Sequence, residues 1–110
     1  MGLFSRLFSS KKEDSKKFRL EMAEMIAKKR IRYVTEKRND VEEVIAKDGA
    51  FSIRDGEFIV FASSDVVFRT PAEDLRAWEL LSGDGAVLTG IDYEHGGIER
   101  TITVHYVYYR

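Results

Sequence analysis

From Phe51 to Arg110 the chain alternates short β-branched or aromatic runs with turns built on Gly, Asp or Ser. The runs are Phe51–Arg54, Glu57–Ala62, Val66–Arg69, Ala86–Ile91 and Thr101–Tyr109; Asp55-Gly56, Ser63-Ser64-Asp65, Gly83-Asp84-Gly85 and His95-Gly96-Gly97 fall between them. Asp-Gly between apolar runs marks a hairpin, because tight turns need residues that tolerate positive φ. Upstream, Tyr33, Val34 and Thr35 favour a strand over Ile31–Lys37, and Asn39-Asp40 supplies a turn. Val41–Lys47 suits a strand or a short helix running into Asp48-Gly49, and the strand is the preferred reading. The pattern predicts a small antiparallel sheet of consecutive hairpins, with about six or seven short strands.

One amphipathic helix is expected ahead of the sheet. Over residues 14–30, Asp14 or Ser15 can cap it, and Phe18, Met22, Met25, Ile26 and Lys29 fall on one face. That face predicts that Met22, Met25 and Ile26 are buried against the sheet. Lys28, Lys29 and Arg30 close the helix where its dipole favours cations. Between Thr70 and Gly83 two patterns compete. Thr70, Pro71 and Glu73 form a helix-start signature, and Leu75, Trp78 and Leu81 continue it at helical spacing. The wider rhythm instead favours one helical turn at Pro71–Asp74, then a strand pairing with Ala86–Ile91. On that reading Trp78 is a large contributor to the core or to the main interface.

Charge divides the chain. Residues 1–40 hold twelve Lys or Arg against six Asp or Glu, and residues 41–110 hold six against thirteen. An acidic body disfavours nucleic-acid binding by the sheet, and leaves the basic run over residues 28–38 as the only nucleic-acid candidate. Residues 1–12 read as an amphipathic basic arm outside a single α+β domain spanning 13–110. Leu3, Phe4, Leu7 and Phe8 share a helical stripe beside Arg6, Lys11, Lys12, Lys16 and Lys17. An apolar stripe beside cations is the composition of a segment lying in an anionic membrane interface. The candidates for membrane contact are therefore Leu3, Phe4, Leu7, Phe8, Lys11 and Lys12. The myristoylation pattern fails because Arg6 stands where Ser or Thr is required. The lack of Cys excludes disulfides and thiol chemistry and suits the cytoplasm.

The phrase VVFRTPAEDLRAWELLSGDGAVLTG resembles bacterial pleckstrin-homology-like (PH/GRAM-like) domains, over roughly Phe51–Arg110. In that group a strand passes through a short connection beginning with Pro, here Pro71 to Leu75, into a strand like Trp78-Glu79-Leu80-Leu81. A Gly-Asp-Gly turn then leads into Val87-Leu88-Thr89-Gly90. The resemblance implies an α+β domain whose curved sheet or partly open small barrel binds something without catalysis. The standard form ends in a helix, whereas this chain ends in a strand and carries its helix first.

Few residues suggest chemistry. His95 lies in the Glu94-His95-Gly96-Gly97 turn and is expected as an exposed loop residue; His105 is expected half-buried within the last strand. Their spacing does not suit a transition metal. Asp55, Asp65 and Asp84 are explained by turns, and Glu73 and Asp74 by a helix start. No nucleotide, nucleophile-elbow or calcium-loop motif is present. No catalytic, metal or cofactor residue is assigned. In the tail, Ile102, Val104, Tyr106 and Tyr108 share one strand face, which reads as core under the helix or as an open edge for subunit pairing or peptide addition. Tyr106, Tyr108, Tyr109 and Arg110 are the interface candidates. The sequence therefore predicts a non-catalytic binding or scaffolding module with a protein partner or self-association, peripheral to the inner membrane surface through its arm. The alternatives are a small-ligand-binding or enzymatic domain using the concave face of the sheet and, third, a nucleic-acid adaptor through residues 28–38.

Overall fold

The computed structural model describes residues 16–107. The arm candidates Leu3, Phe4, Leu7, Phe8, Lys11 and Lys12, and the interface candidates Tyr108, Tyr109 and Arg110, lie outside the described residues. Helix α1 covers residues 16–27. It is followed by β1 (Arg30–Arg38), β2 (Val41–Arg54), β3 (Glu57–Ala62), β4 (Asp65–Pro71), a 3-10 turn at Ala72–Asp74, β5 (Arg76–Glu79), β6 (Gly85–Asp92) and β7 (Ile98–Tyr106). The strands form one antiparallel seven-stranded sheet in the order β4-β3-β2-β1-β7-β6-β5. Every neighbouring pair except β1 and β7 is a consecutive hairpin. Its tight turns use Asn39-Asp40, Asp55-Gly56 and Ser63-Ser64, all at positive φ, as the twist of two-residue hairpin loops requires.

Alternation along each strand sends one row inward. Val34, Phe51, Phe58, Val60, Phe68, Leu88, Ile102 and Val104 are buried together with Ala23 and Ile26 of the helix. The helix packs through Ala23 and Ile26, with Met22 and Ala27 partly buried beside them. Phe18 and Met25 were expected on the core face, yet they are 57% and 41% exposed. The contact stripe is rotated, because small Ala23 lets the backbone approach the sheet more closely than Met25 would.

The conflict over residues 71–82 resolves in favour of a 3-10 turn and a strand. Trp78 pairs with Val87, as the hairpin rhythm predicted. Thr70 does not cap a helix: Pro71 precedes the 3-10 turn and no side chain caps it. Trp78 is 56% exposed, so it is not a core residue; it stands on the outward face of an edge strand, where no described residue covers it.

Two further expectations change. Asp48-Gly49 is not a boundary, since β2 runs unbroken through it for 14 residues. Asp48 takes a positive φ there and is skipped in the β1–β2 register. Gly49 is required because a Cβ at that position would collide with the Phe61 carbonyl on β3. The last strand starts at Ile98 rather than Thr101, lengthening the β6–β7 hairpin.

The sheet curls without closing into a barrel. β4 approaches the end of β6, where the Tyr93 amide donates to the Arg69 carbonyl at 2.8 Å. Gly90 permits the approach, as a Cβ there would lie 2.9 Å from Thr70 Oγ1 on β4.

Candidate functional site, a clamped cleft at the open end of the sheet

Three charged residues occupy inward-facing positions. Arg100 continues the inward row of Ile102 and Val104 on β7, Asp92 ends the row of Leu88 and Gly90 on β6, and Glu36 follows Val34 on β1. They meet. Arg100 donates from Nε to Glu36 Oε2 at 3.1 Å and from Nη2 to Glu36 Oε1 at 2.8 Å. Its Nη1 donates to Asp92 Oδ2 at 2.5 Å and to the Val67 carbonyl at 2.9 Å. One guanidinium thus ties β7 to β1, β6 and β4. A bidentate fork is the geometry that makes Arg suited to this role.

Asp92 is fully buried. Besides Arg100 it accepts from the Arg69 amide at 3.2 Å, the Glu94 amide at 3.0 Å and His95 Nδ1 at 2.7 Å. Burial alone would raise its carboxyl; the hydrogen bonds from Arg100, His95 and the amides of Glu94 and Arg69 outweigh that and hold it below the usual carboxylate range. Glu36 is held low chiefly by its hydrogen bonds from Arg100, against burial. Together Arg100 and Asp92 satisfy the Val67 carbonyl and the Arg69 amide on the edge of β4. These side chains and the Tyr93 amide, rather than a strand ladder, finish this edge.

Outside the clamp, Arg69 bonds Glu57 through Nη1 at 2.8 Å and Glu94 through Nε at 3.1 Å. His95 is exposed in the β6–β7 turn, as expected, and its Nδ1 is hydrogen-bonded to Asp92. With Nδ1 engaged, Nε2 is the ring atom left for other partners.

A cleft of ≈980 Å³ opens beside the clamp. Glu36, Arg100 and His95 line it, along with Ile45 and Ala46 of β2, Ala62 at the end of β3, and Val66 and Val67 of β4. It exists because the β1–β2 hairpin outruns its neighbours. β2 pairs with β3 only from Gly49 onward, so among the described residues Val41–Ala46 pairs with β1 alone. β1 pairs with β7 only as far as Thr35, opposite Thr103. The hairpin tip therefore projects as a two-stranded finger with an unpaired edge on either side. Its root is braced by a hydrogen bond of 2.8 Å from Thr35 Oγ1 to Glu42 Oε1 and by the Ser63 amide, which donates to the Lys47 carbonyl at 2.7 Å.

Among the sequence candidates within the described residues, Tyr106 is buried in the core beside Phe51, so it is not available as an interface residue in the isolated chain. Burial pushes its hydroxyl up to about 12. His105 is half-buried as expected, stacked on Tyr33 with ring centres 4.3 Å apart. In the basic run, Arg38 is drawn to Glu36 and Glu43. Among the described residues, no cluster of His, Cys, Asp or Glu has the arrangement of a metal site, and no helix is long and apolar enough to cross a membrane.

The sequence alone does not mark Glu36, Asp92 or Arg100 as site residues, and it places His95 only as an exposed turn residue. The available signal was parity: Arg100 stands two residues before Ile102, on the row already expected to face inward. Comparison with protein-family models, curated proteins and solved structures gave no match.

Proposed function

We propose that the chain is a non-catalytic binding module, PH-like in style, whose binding site is the cleft beneath the β1–β2 finger. Support for the style comes from the seven antiparallel strands, the curl and the placing of β1 beside β7; the leading helix departs from the standard form. The observation that carries the binding reading is the state of the polar groups in the cleft. Arg100, Glu36 and Asp92 are engaged with one another, so the most buried charges beside the cleft hold strands together. What the cleft offers is unpaired strand edge, apolar wall and rim charge, which are recognition features.

A photo-crosslinking residue at exposed Glu99, which lines the cleft, tests this against the same residue at Asp55, in the β2–β3 turn. Discrete adducts from position 99 in cell extract, absent from position 55, are expected. Equal adducts from both, or none from position 99, would refute a cleft-centred function.

A second reading is association with an anionic membrane surface through residues 1–12. It is favoured by α1, where exposed Phe18 and Met25 share the helix with exposed Lys16 and Lys17. Sedimentation with anionic vesicles at low salt tests it; protein left in the supernatant would reject it.

A further inference from the structure

We infer that the cleft's occupant is an extended basic segment of a partner protein, added as a further strand on the outer edge of β2 at Val41–Ala46. The inference rests on the reading of the cleft as the binding site and names what fills it.

The backbone supplies the first argument. A strand edge with no neighbour presents amides and carbonyls in a regular array, and an extended chain is the ligand that matches it along its length. The β4 edge is unsuitable, because Asp92, Arg100 and Tyr93 already occupy the groups of Val67 and Arg69. Among the described residues the β2 edge has no such cover over Val41–Ala46, where β1 is the sole strand partner. At roughly 3.3 Å per residue this edge takes a segment of about six residues.

Charge supplies the second argument. Of the acidic residues lining the cleft, Glu36 is paired with Arg100, whereas Glu42, Asp65 and Glu99 have no ion pair among the described residues. Lys37 is the one cation of the lining without an ion pair there, since Arg38 is drawn to Glu36 and Glu43. The surplus is negative. These charges favour a partner carrying Lys or Arg. Ile45, Val66 and Val67 add an apolar wall for the residues between the cations. The partner's signature is therefore an extended stretch that alternates cations with β-branched residues.

The test titrates ¹⁵N-labelled full-length protein with a capped Thr-Lys-Val-Arg-Val-Lys-Thr peptide. Two control peptides accompany it: one with Glu in place of each cation, and one with alternate backbone amides methylated. Expected are shifts and slowed amide exchange confined to residues 41–47 and the cleft lining, with binding weakened at least tenfold by methylation, by the acidic replacement and by the Glu42→Lys/Glu99→Lys protein. Equal binding of the methylated peptide would overturn strand addition, and equal binding of the acidic peptide would overturn the charge assignment. Amide protection at residues 41–46 that exists without peptide, and vanishes on deletion of residues 1–12, would assign the edge to the chain's own arm and overturn the partner. Absence of peptide binding alongside discrete adducts from position 99 would reject strand addition and leave the cleft reading standing.

Discussion

Replacing Arg100 with Met tests the clamp most directly. Met keeps much of the side chain's length and apolar volume but removes all four hydrogen bonds to Glu36, Asp92 and the Val67 carbonyl. The side chains of Arg100 and Glu36 are largely buried, and that of Asp92 completely so. Asp92 would be left buried with its amide and His95 bonds but no guanidinium. Breaking a buried pair by removing one partner typically costs about 3–5 kcal/mol, since the surviving charge stays desolvated. A domain of this size is stable by roughly 5–15 kcal/mol, so the loss is a large share of the whole. The measurement is urea unfolding followed by far-ultraviolet circular dichroism, with the midpoint falling and the slope unchanged.

The acid limb supplies a second readout. The folded carboxyls of Asp92 and Glu36 lie below their unfolded values, so their contribution is present above the unfolded values, near pH 4, and is lost as pH falls through the folded ones. Arg100→Met removes much of the cause of that depression, so the variant, already less stable at neutral pH, should show a shallower acid limb, and its stability gap to the parent should narrow as pH falls below about 4. A matched control is Glu57→Gln, on the more exposed Arg69 pair, which should move the midpoint little. If Arg100→Met loses less than about 1 kcal/mol, or if its acid limb overlays the parent's, the clamp is not what holds β4 to β6.

Ile26→Asp should unfold the domain, because it places an unpaired charge in the core, while Met25→Gln should melt within a few degrees of the parent; thermal denaturation separates them. Tyr106→Phe should match or exceed the parent by roughly 1 kcal/mol in urea unfolding, since the hydroxyl is buried without a partner. His105 has its protonated form disfavoured by burial and by Arg32, against Glu42 and Asp84. Because the unfolded chain then binds the proton more readily, stability should fall as pH drops below about 6.5 toward the lower folded value, and His105→Gln should flatten that slope in melts from pH 7.5 to 5.5. Deleting residues 1–12 should abolish sedimentation with anionic vesicles at low salt while leaving the melting temperature unchanged.

Local rules carried most of the architecture. The paired turn residues announced the hairpins because positive φ is a property of one or two residues, which a sequence displays without tertiary context. At Pro71–Leu81 two local rules conflicted, and pairing decided. Trp78 gains a ladder with Val87 on β6, which an isolated helical turn does not offer. Asp48-Gly49 misled for the opposite reason. A residue pair typical of a turn sits inside β2, where Gly49 serves the close passage of β3 rather than a reversal of the chain.

The cleft was less legible because it follows from unequal strand lengths and from one long-range encounter. Glu36 and Arg100 are 64 residues apart, and only the pairing of β1 with β7 brings them together. Before that pairing is known, no local pattern joins Asp92 or Glu36 to Arg100. The inward parity of Arg100 is the one sign the sequence carries. A charge on a row that is otherwise Ile102, Val104 and Tyr106 must find a partner inside or be excluded from the fold. It finds Asp92 and Glu36, and in doing so finishes the β4 edge that would otherwise compete for an incoming strand. The clamp and the open β2 edge are therefore linked consequences of one geometry. By satisfying the β4 edge, the fold leaves Val41–Ala46 of the finger as an exposed edge beside the cleft, open to an incoming strand.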